Sequence, residues 1–102
     1  MRIDFDEPAG LVRVESNGTV IVELRDFPVA PLKKQLRDWL NDVNEVSAKC
    51  FIFASDDLQF HGTFRIEPRP QDWQFTSCRE YVRSPELLSL GEWRSLLQEC
   101  AV

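Results

Sequence analysis

A single histidine, four glycines and three cysteines are spread over 102 residues, and no apolar run approaches bilayer length. One imidazole leaves no second ring for a histidine relay or a histidine metal shell. The glycines stand apart, so no glycine-rich turn opens a helix to cradle a phosphate. Cys50, Cys78 and Cys100 are 28 and 22 residues apart. An odd number with no Cys-x-x-Cys pair argues against both a disulfide framework and a zinc clip. A membrane span would need ~20 apolar residues. The opening Met1-Arg2-Ile3-Asp4-Phe5-Asp6-Glu7-Pro8 puts acids where a signal peptide needs an uninterrupted apolar stretch. These absences lead to the expectation of a complete cytoplasmic chain with no disulfide, metal or cofactor.

What is present suits one water-soluble domain over residues 1–102, with 43% hydrophobic and 28% charged residues. Twelve basic against seventeen acidic residues give a net charge of −5. The acids are spread along the chain rather than gathered in a tail. Phosphate neutralisation needs a basic patch, so nucleic acid and anionic membrane are not expected partners. A basic protein is favoured, because opposite potentials speed encounter.

Along the chain, Ile3 and Phe5 alternate with polar neighbours as a first strand, which Pro8-Ala9-Gly10 ends. Residues 11–15 and Val20–Leu24 flank Asn17-Gly18, whose tolerance of positive φ suits a type I′ hairpin turn. Pro31 fits the first turn of a helix. Leu32, Leu36, Trp39, Leu40, Val43 and Val46 then recur at helical spacing over roughly four turns. Lys49–Ser55 is predicted as a central strand buried on both faces. Leu58, Phe60, Gly62, Phe64 and Ile66 alternate with Gln59, His61, Thr63, Arg65 and Glu67, predicting a strand with one core face and one wet face. Asp72–Thr76 repeats the alternation. Ser84-Pro85-Glu86 reads as a helix start, and Ser89 with Glu92 has capping-box spacing before Trp93, Leu96, Leu97 and Cys100. The expected fold is α+β, ordered βββ-α-βββ-α. It has one antiparallel sheet of five or six strands with both helices on one face.

No constellation supplies a nucleophile with its base. Cys78 has no neighbouring histidine in the pattern, and Asp56-Asp57 alone cannot complete a metal shell. The expectation is therefore of no catalytic residue. Recognition is what remains. With helices on one side of the sheet, the other side should present Gln59, His61, Thr63, Arg65 and Glu67, with Gln74 and Thr76 from the next strand, and exposed acids such as Asp4, Asp6, Glu7, Asp56 and Asp57 should add electrostatic attraction. Cys50 and Cys100 are expected in the core. A small-ligand binder, by contrast, would need a deep apolar pocket at His61 or Tyr81.

Gly62-Thr63-Phe64-Arg65-Ile66 followed by Trp73-Gln74-Phe75-Thr76-Ser77 resembles the strands of small bacterial domains. In acidity, length and strand-rich pattern the whole chain resembles the immunity proteins that bacteria make against polymorphic or contact-delivered toxins. That resemblance implies a non-catalytic monomer that occludes a basic toxin domain by direct binding. The alternatives are an accessory subunit of a larger bacterial assembly and a small-ligand-binding domain.

Overall fold

A computed structural model describes residues 1–100, so the last two residues of the expected 1–102 domain lie outside the described range. Three strands open the chain: β1 (Arg2–Asp6), β2 (Leu11–Ser16) and β3 (Thr19–Leu24). They pair antiparallel in the order β1-β2-β3. Asn17 and Gly18 turn the β2–β3 hairpin with φ of 54° and 77°, both positive as a type I′ turn requires. Val12, Val14, Val22 and Leu24 project into the core.

Helix α1 (Val29–Asp42) follows. Pro31 sits in its first turn, where a missing N–H breaks no helical bond. Val29, Leu32, Leu36, Trp39 and Leu40 form its buried row. The helix ends where Val43 turns extended, and Val46 beyond it is 98% exposed rather than on the stripe.

The second half forms another antiparallel sheet, β4 (Phe51–Ile52), β5 (Arg65–Pro68), β6 (Trp73–Thr76) and β7 (Arg83–Leu88), in the order β4-β5-β6-β7. Helix α2 (Leu90–Leu96) closes the described fold with the expected capping box: Ser89 Oγ accepts from Glu92 N–H, and Glu92 accepts from Ser89 N–H. The class is α+β, but the single sheet of five or six strands is replaced by sheets of three and four. The second half has one strand more than expected.

That extra strand is β7, where the sequence suggested a helix start at Ser84-Pro85-Glu86. A bulge explains how Pro85 is tolerated. Gln74 pairs with Leu87 and Thr76 with Arg83, so Phe75 alone stands opposite Ser84, Pro85 and Glu86. Proline lacks a ladder donor and is accepted where the ladder is already interrupted. The bulge frees the Ser84 carbonyl, which accepts from Gln74 Nε2 at 2.7 Å. It also brings Glu86 to the other sheet. There its carboxylate takes hydrogen bonds from Ser16 Oγ (2.8 Å) and Asn17 N–H (2.9 Å), and an ion pair from the Met1 ammonium (3.0 Å). Those donors, the ammonium first, hold the Glu86 carboxyl below its usual 4.5.

Both sheets and both helices feed one core. Trp39 meets Trp73 edge-on at 5.6 Å between ring centroids and lies 5.7 Å from Phe51, while Phe64 packs on Phe75 at 5.0 Å. Fully buried Trp93 donates its indole N–H to the Trp73 carbonyl at 3.2 Å. The free edge of β4 is met by α1 rather than by another strand. Gln35 donates to the Ala54 carbonyl (3.0 Å) and accepts from Ala54 N–H (2.9 Å), and Trp39 Nε1 donates to the Lys49 carbonyl (2.6 Å).

Two strand expectations need correction. The segment Lys49–Ser55 is buried on one side only. Phe51 and Phe53 point inward, whereas Ile52 is 48% exposed. Residues 57–64 form turns, not a strand, despite their alternation. Asp57 captures the backbone there: its carboxylate accepts from Gln59 N–H (3.1 Å) and its carbonyl from Phe60 and His61 N–H. Gly62 then takes φ of 73°, outside any strand conformation. Leu58, expected in the core, is consequently 87% exposed.

Candidate protein-binding face

The ladder register of the four-stranded sheet defines two rows on its outer side. One runs Ile52, Arg65, Thr76, Arg83 across all four strands, and the other runs Glu67, Gln74, Leu87. Phe51, Ile66, Trp73 and Phe75 occupy the opposite parity and are buried in the core with both helices. Of the expected face, the structure brings together Arg65, Glu67 and Gln74, while Thr76 stands on the same side but is only 2% exposed. Ile52 and Leu87, 48% and 43% exposed, bracket these polar residues with apolar side chains.

Polar contacts order the centre of this face. Glu67 accepts from Arg69 at 2.8 Å and pairs at 3.8 Å with Arg65. Arg69 Nε also donates to Gln74 Oε1 at 3.1 Å. With Gln74 tied in turn to Ser84, three of these four side chains are held before anything docks, which lowers the entropic cost of binding.

Asp56, Asp57, Gln59 and His61 are exposed, but they sit on a loop at the end of the sheet rather than in its rows. That loop is held by its own bonds. Ser55 N–H donates to His61 Nδ1 (3.2 Å), and Gln59 Nε2 donates to Asp57 (3.0 Å). Thr63 does not belong to the face. It is 1% exposed, and its hydroxyl donates to the Phe60 carbonyl at 2.6 Å. The turn geometry that replaced the strand reverses its expected direction.

A second loop abuts the first. The 3₁₀ turn Arg79–Tyr81 follows β6, and Arg79 reaches the Gln59 carbonyl at 3.5 Å, while Cys78 N–H donates to the Gly62 carbonyl at 3.2 Å. Glu80 and Tyr81 both carry positive φ, 58° and 53°. Two adjacent non-glycine residues in that region store backbone strain that the surrounding contacts must hold. The result is a Tyr81 ring that is 90% exposed, close to a similarly exposed Leu58 loop.

Where Tyr81 meets the sheet there is a pocket of about 180 Å³, lined by Arg65, Glu67, Thr76, Tyr81 and Arg83 among others. It is small and walled by charged and hydroxyl groups, unlike the deep apolar cavity a typical small-ligand site requires. Ile52, Leu87 and Arg83 are functional candidates that sequence reasoning missed. The pattern places Ile52 in a doubly buried strand and fits a strand or a short helix equally over Cys78–Ser84, which holds Arg83, while Pro85 masks the strand that carries Leu87. The alternation of Ile52 between two phenylalanines was the one available signal.

The three free thiols sit in different surroundings. Burial pushes Cys100 up to about 11, with Glu99 adding to the effect, and it also raises half-buried Cys50. Cys78 is exposed and its thiol lies 3.4 Å from the His61 carbonyl. Among the described residues no cluster of three or more His, Cys, Asp or Glu side chains could hold a metal ion, and no helix is long and apolar enough to cross a membrane. No protein-family description, curated protein or solved structure matches the chain.

Proposed function

We propose that this chain is a non-catalytic binding module that docks a protein partner on the outer face of its four-stranded sheet. The observation carrying this reading is the pair of cross-strand rows, polar at the centre and flanked by exposed Ile52 and Leu87. Apolar side chains beside an ordered hydrogen-bonding group are what a recognition surface uses. The sheet face alone, four strands at ~4.8 Å spacing and about four residues long, spans roughly 250 Å². A standard interface takes roughly 800 Å² per partner, so the loop with Asp56, Asp57, Gln59 and His61 and the Tyr81 turn belong to the same footprint.

Charge divides the work between distance and contact. The net charge of −5 draws a basic partner from afar. The face itself carries Arg65, Arg69 and Arg83 against Glu67, so at contact it suits acceptor groups. Asp56 and Asp57 at the rim supply the complementary sign. Within the binding-module class, the resemblance in sequence favours an immunity protein that neutralises a cognate bacterial toxin by covering its working surface.

If a toxin-like gene lies beside the gene for this chain, co-expression of the two products tests this reading. The wild-type chain should restore growth, and Ile52→Asp with Leu87→Asp should abolish the rescue while the chain stays folded. Continued killing by the toxin in the presence of wild-type protein would reject the immunity role. A stable homo-oligomer in light scattering would favour the assembly-subunit alternative instead.

A further inference from the structure

Between α1 and the edge of β4 lies a groove of about 270 Å³. Gln35, Asp38, Trp39 and Asp42 of the helix line one side, and Lys49 and Ile52 line the other. Strand parity decides what the β4 side offers. In an antiparallel strand the N–H and C=O of one residue point the same way, and those of the next residue point the opposite way. Phe53 donates to the Phe64 carbonyl at 2.9 Å and accepts from Gly62 N–H, so its backbone faces the β5 side. Ile52 and Ala54 therefore face α1. Ala54 does so visibly, since the Gln35 amide holds both of its groups. Ile52 presents the same pair roughly 6.8 Å away, two residues at ~3.4 Å each. No turn or side chain bonds to that pair among the described residues.

The open pair narrows the occupant. Matching it takes a donor and an acceptor side by side on one edge of a group. A primary carboxamide has that arrangement, and Gln35 shows it at work two residues along the same strand. An extended segment would need the neighbouring positions too, and these are closed. Ala54 is held by Gln35, and the Lys49 carbonyl accepts from Trp39 Nε1. A carboxylate only accepts and a guanidinium only donates, so each leaves one group unmatched. Exposed Asp38 and Asp42 on the wall further disfavour a carboxylate by like charge. The volume equals roughly nine waters at ~30 Å³ each, room for a carboxamide and its methylene stem.

We propose that this groove is a receptor for one primary carboxamide, the side chain of a glutamine or asparagine on a docked protein. It pairs with the Ile52 backbone as Gln35 pairs with Ala54. Ile52 also begins the first row of the outer sheet face, so the groove is continuous with the proposed footprint. The source of the amide rests on the docking reading, whereas the pairing rests on the groove alone.

The experiment uses the isolated chain and propionamide, which reproduces the end of a glutamine side chain. Propionamide should shift the Ile52 N–H resonance saturably in amide NMR and slow its hydrogen exchange. N-methylpropionamide, whose N–H lies trans to its carbonyl, and propionate should each shift it several-fold less. Gln35→Ala supplies a second readout, because it uncovers Ala54. Propionamide should then shift the Ala54 N–H as well, which stays silent in the wild type. An unmoved Ile52 resonance, whether or not Ala54 answers in the variant, would mean a groove that holds water alone and would overturn the assignment. Equal shifts from N-methylpropionamide would do the same, as would a larger response to methylguanidinium, which marks a groove for cations. Growth rescue plays no part in this measurement. Failure here leaves the docking reading standing, and a failed rescue leaves the pairing at Ile52 standing.

Discussion

Arg94 of α2 donates to the carbonyls of Leu40 (2.7 Å) and Val43 (2.8 Å), capping the end of a helix that lies more than fifty residues earlier in the chain. Helix α1 has no basic residue in its own last turn, so this guanidinium supplies both the hydrogen bonds and the positive charge that a helix C-terminus favours. Arg94→Ala should destabilise the fold by about 1–3 kcal/mol, from hydrogen bonds to a charged donor at a partly buried site. Urea denaturation of the two proteins measures the difference. An unchanged midpoint would show that water replaces the guanidinium at no cost.

Glu86 governs part of the acid sensitivity. Its folded pKa is depressed below 4.5 by the Met1 ammonium, Ser16 and Asn17. A depressed carboxylate contributes stability that is fully present above its unfolded value and is lost as pH falls through the folded one. Glu23, held down by Arg25 and Arg13, and Glu92, held down by Ser89, act in the same direction. Melting temperature should therefore fall as pH drops below about 4.5. Glu86→Gln should shallow that fall while lowering stability at neutral pH. A variant with the wild-type acid profile would show the sheet junction to be indifferent to this charge.

The α2 capping box gives a local test. Ser89→Ala removes the acceptor for Glu92 N–H and should cost ~1 kcal/mol. The readout is thermal melting, with hydrogen exchange in residues 90–93 rising more than in β2. Uniform loss of protection across the chain would mean that α2 does not unfold separately.

Core packing around α1 should be far less tolerant. Leu36 is 0% exposed, and Leu36→Ala should cost about 2–5 kcal/mol through lost burial and the cavity left behind. In contrast, Leu87→Asp on the outer face should change stability by no more than about 0.5 kcal/mol while abolishing partner capture. Chemical denaturation separates the two. Comparable losses in both variants would place Leu87 in the core and remove the proposed face.

Local chemistry explains which features were readable in the sequence. Asn17-Gly18, Pro31 and the Ser89–Glu92 pair act through bonds within a few residues, so their structures follow from the local order of residues. The parity of Arg65, Glu67 and Gln74 was also legible, because Ile66, Trp73 and Phe75 mark the buried side of two true strands. Residues 57–64 were not. Their alternation matches a strand as well as Arg65–Pro68 does, but the Asp57 turn and the positive φ of Gly62 override the period. Nor could Pro85 disclose its bulge, since the interruption exists only relative to β6. The Thr76–Arg65 pocket depends on register between strands and on a strained turn, neither of which is written in a local pattern.

The clasp of Gln35 on Ala54 bears on how anything can associate with this molecule. An amide side chain already satisfies the backbone donor and acceptor that an incoming extended segment would use at that border. Main-chain pairing is blocked at Ala54, so a companion meeting that point must read side chains instead. On the proposed face, discrimination then lies with a few identities such as Ile52, Arg65 and Leu87, which can be exchanged while the scaffold beneath stays the same.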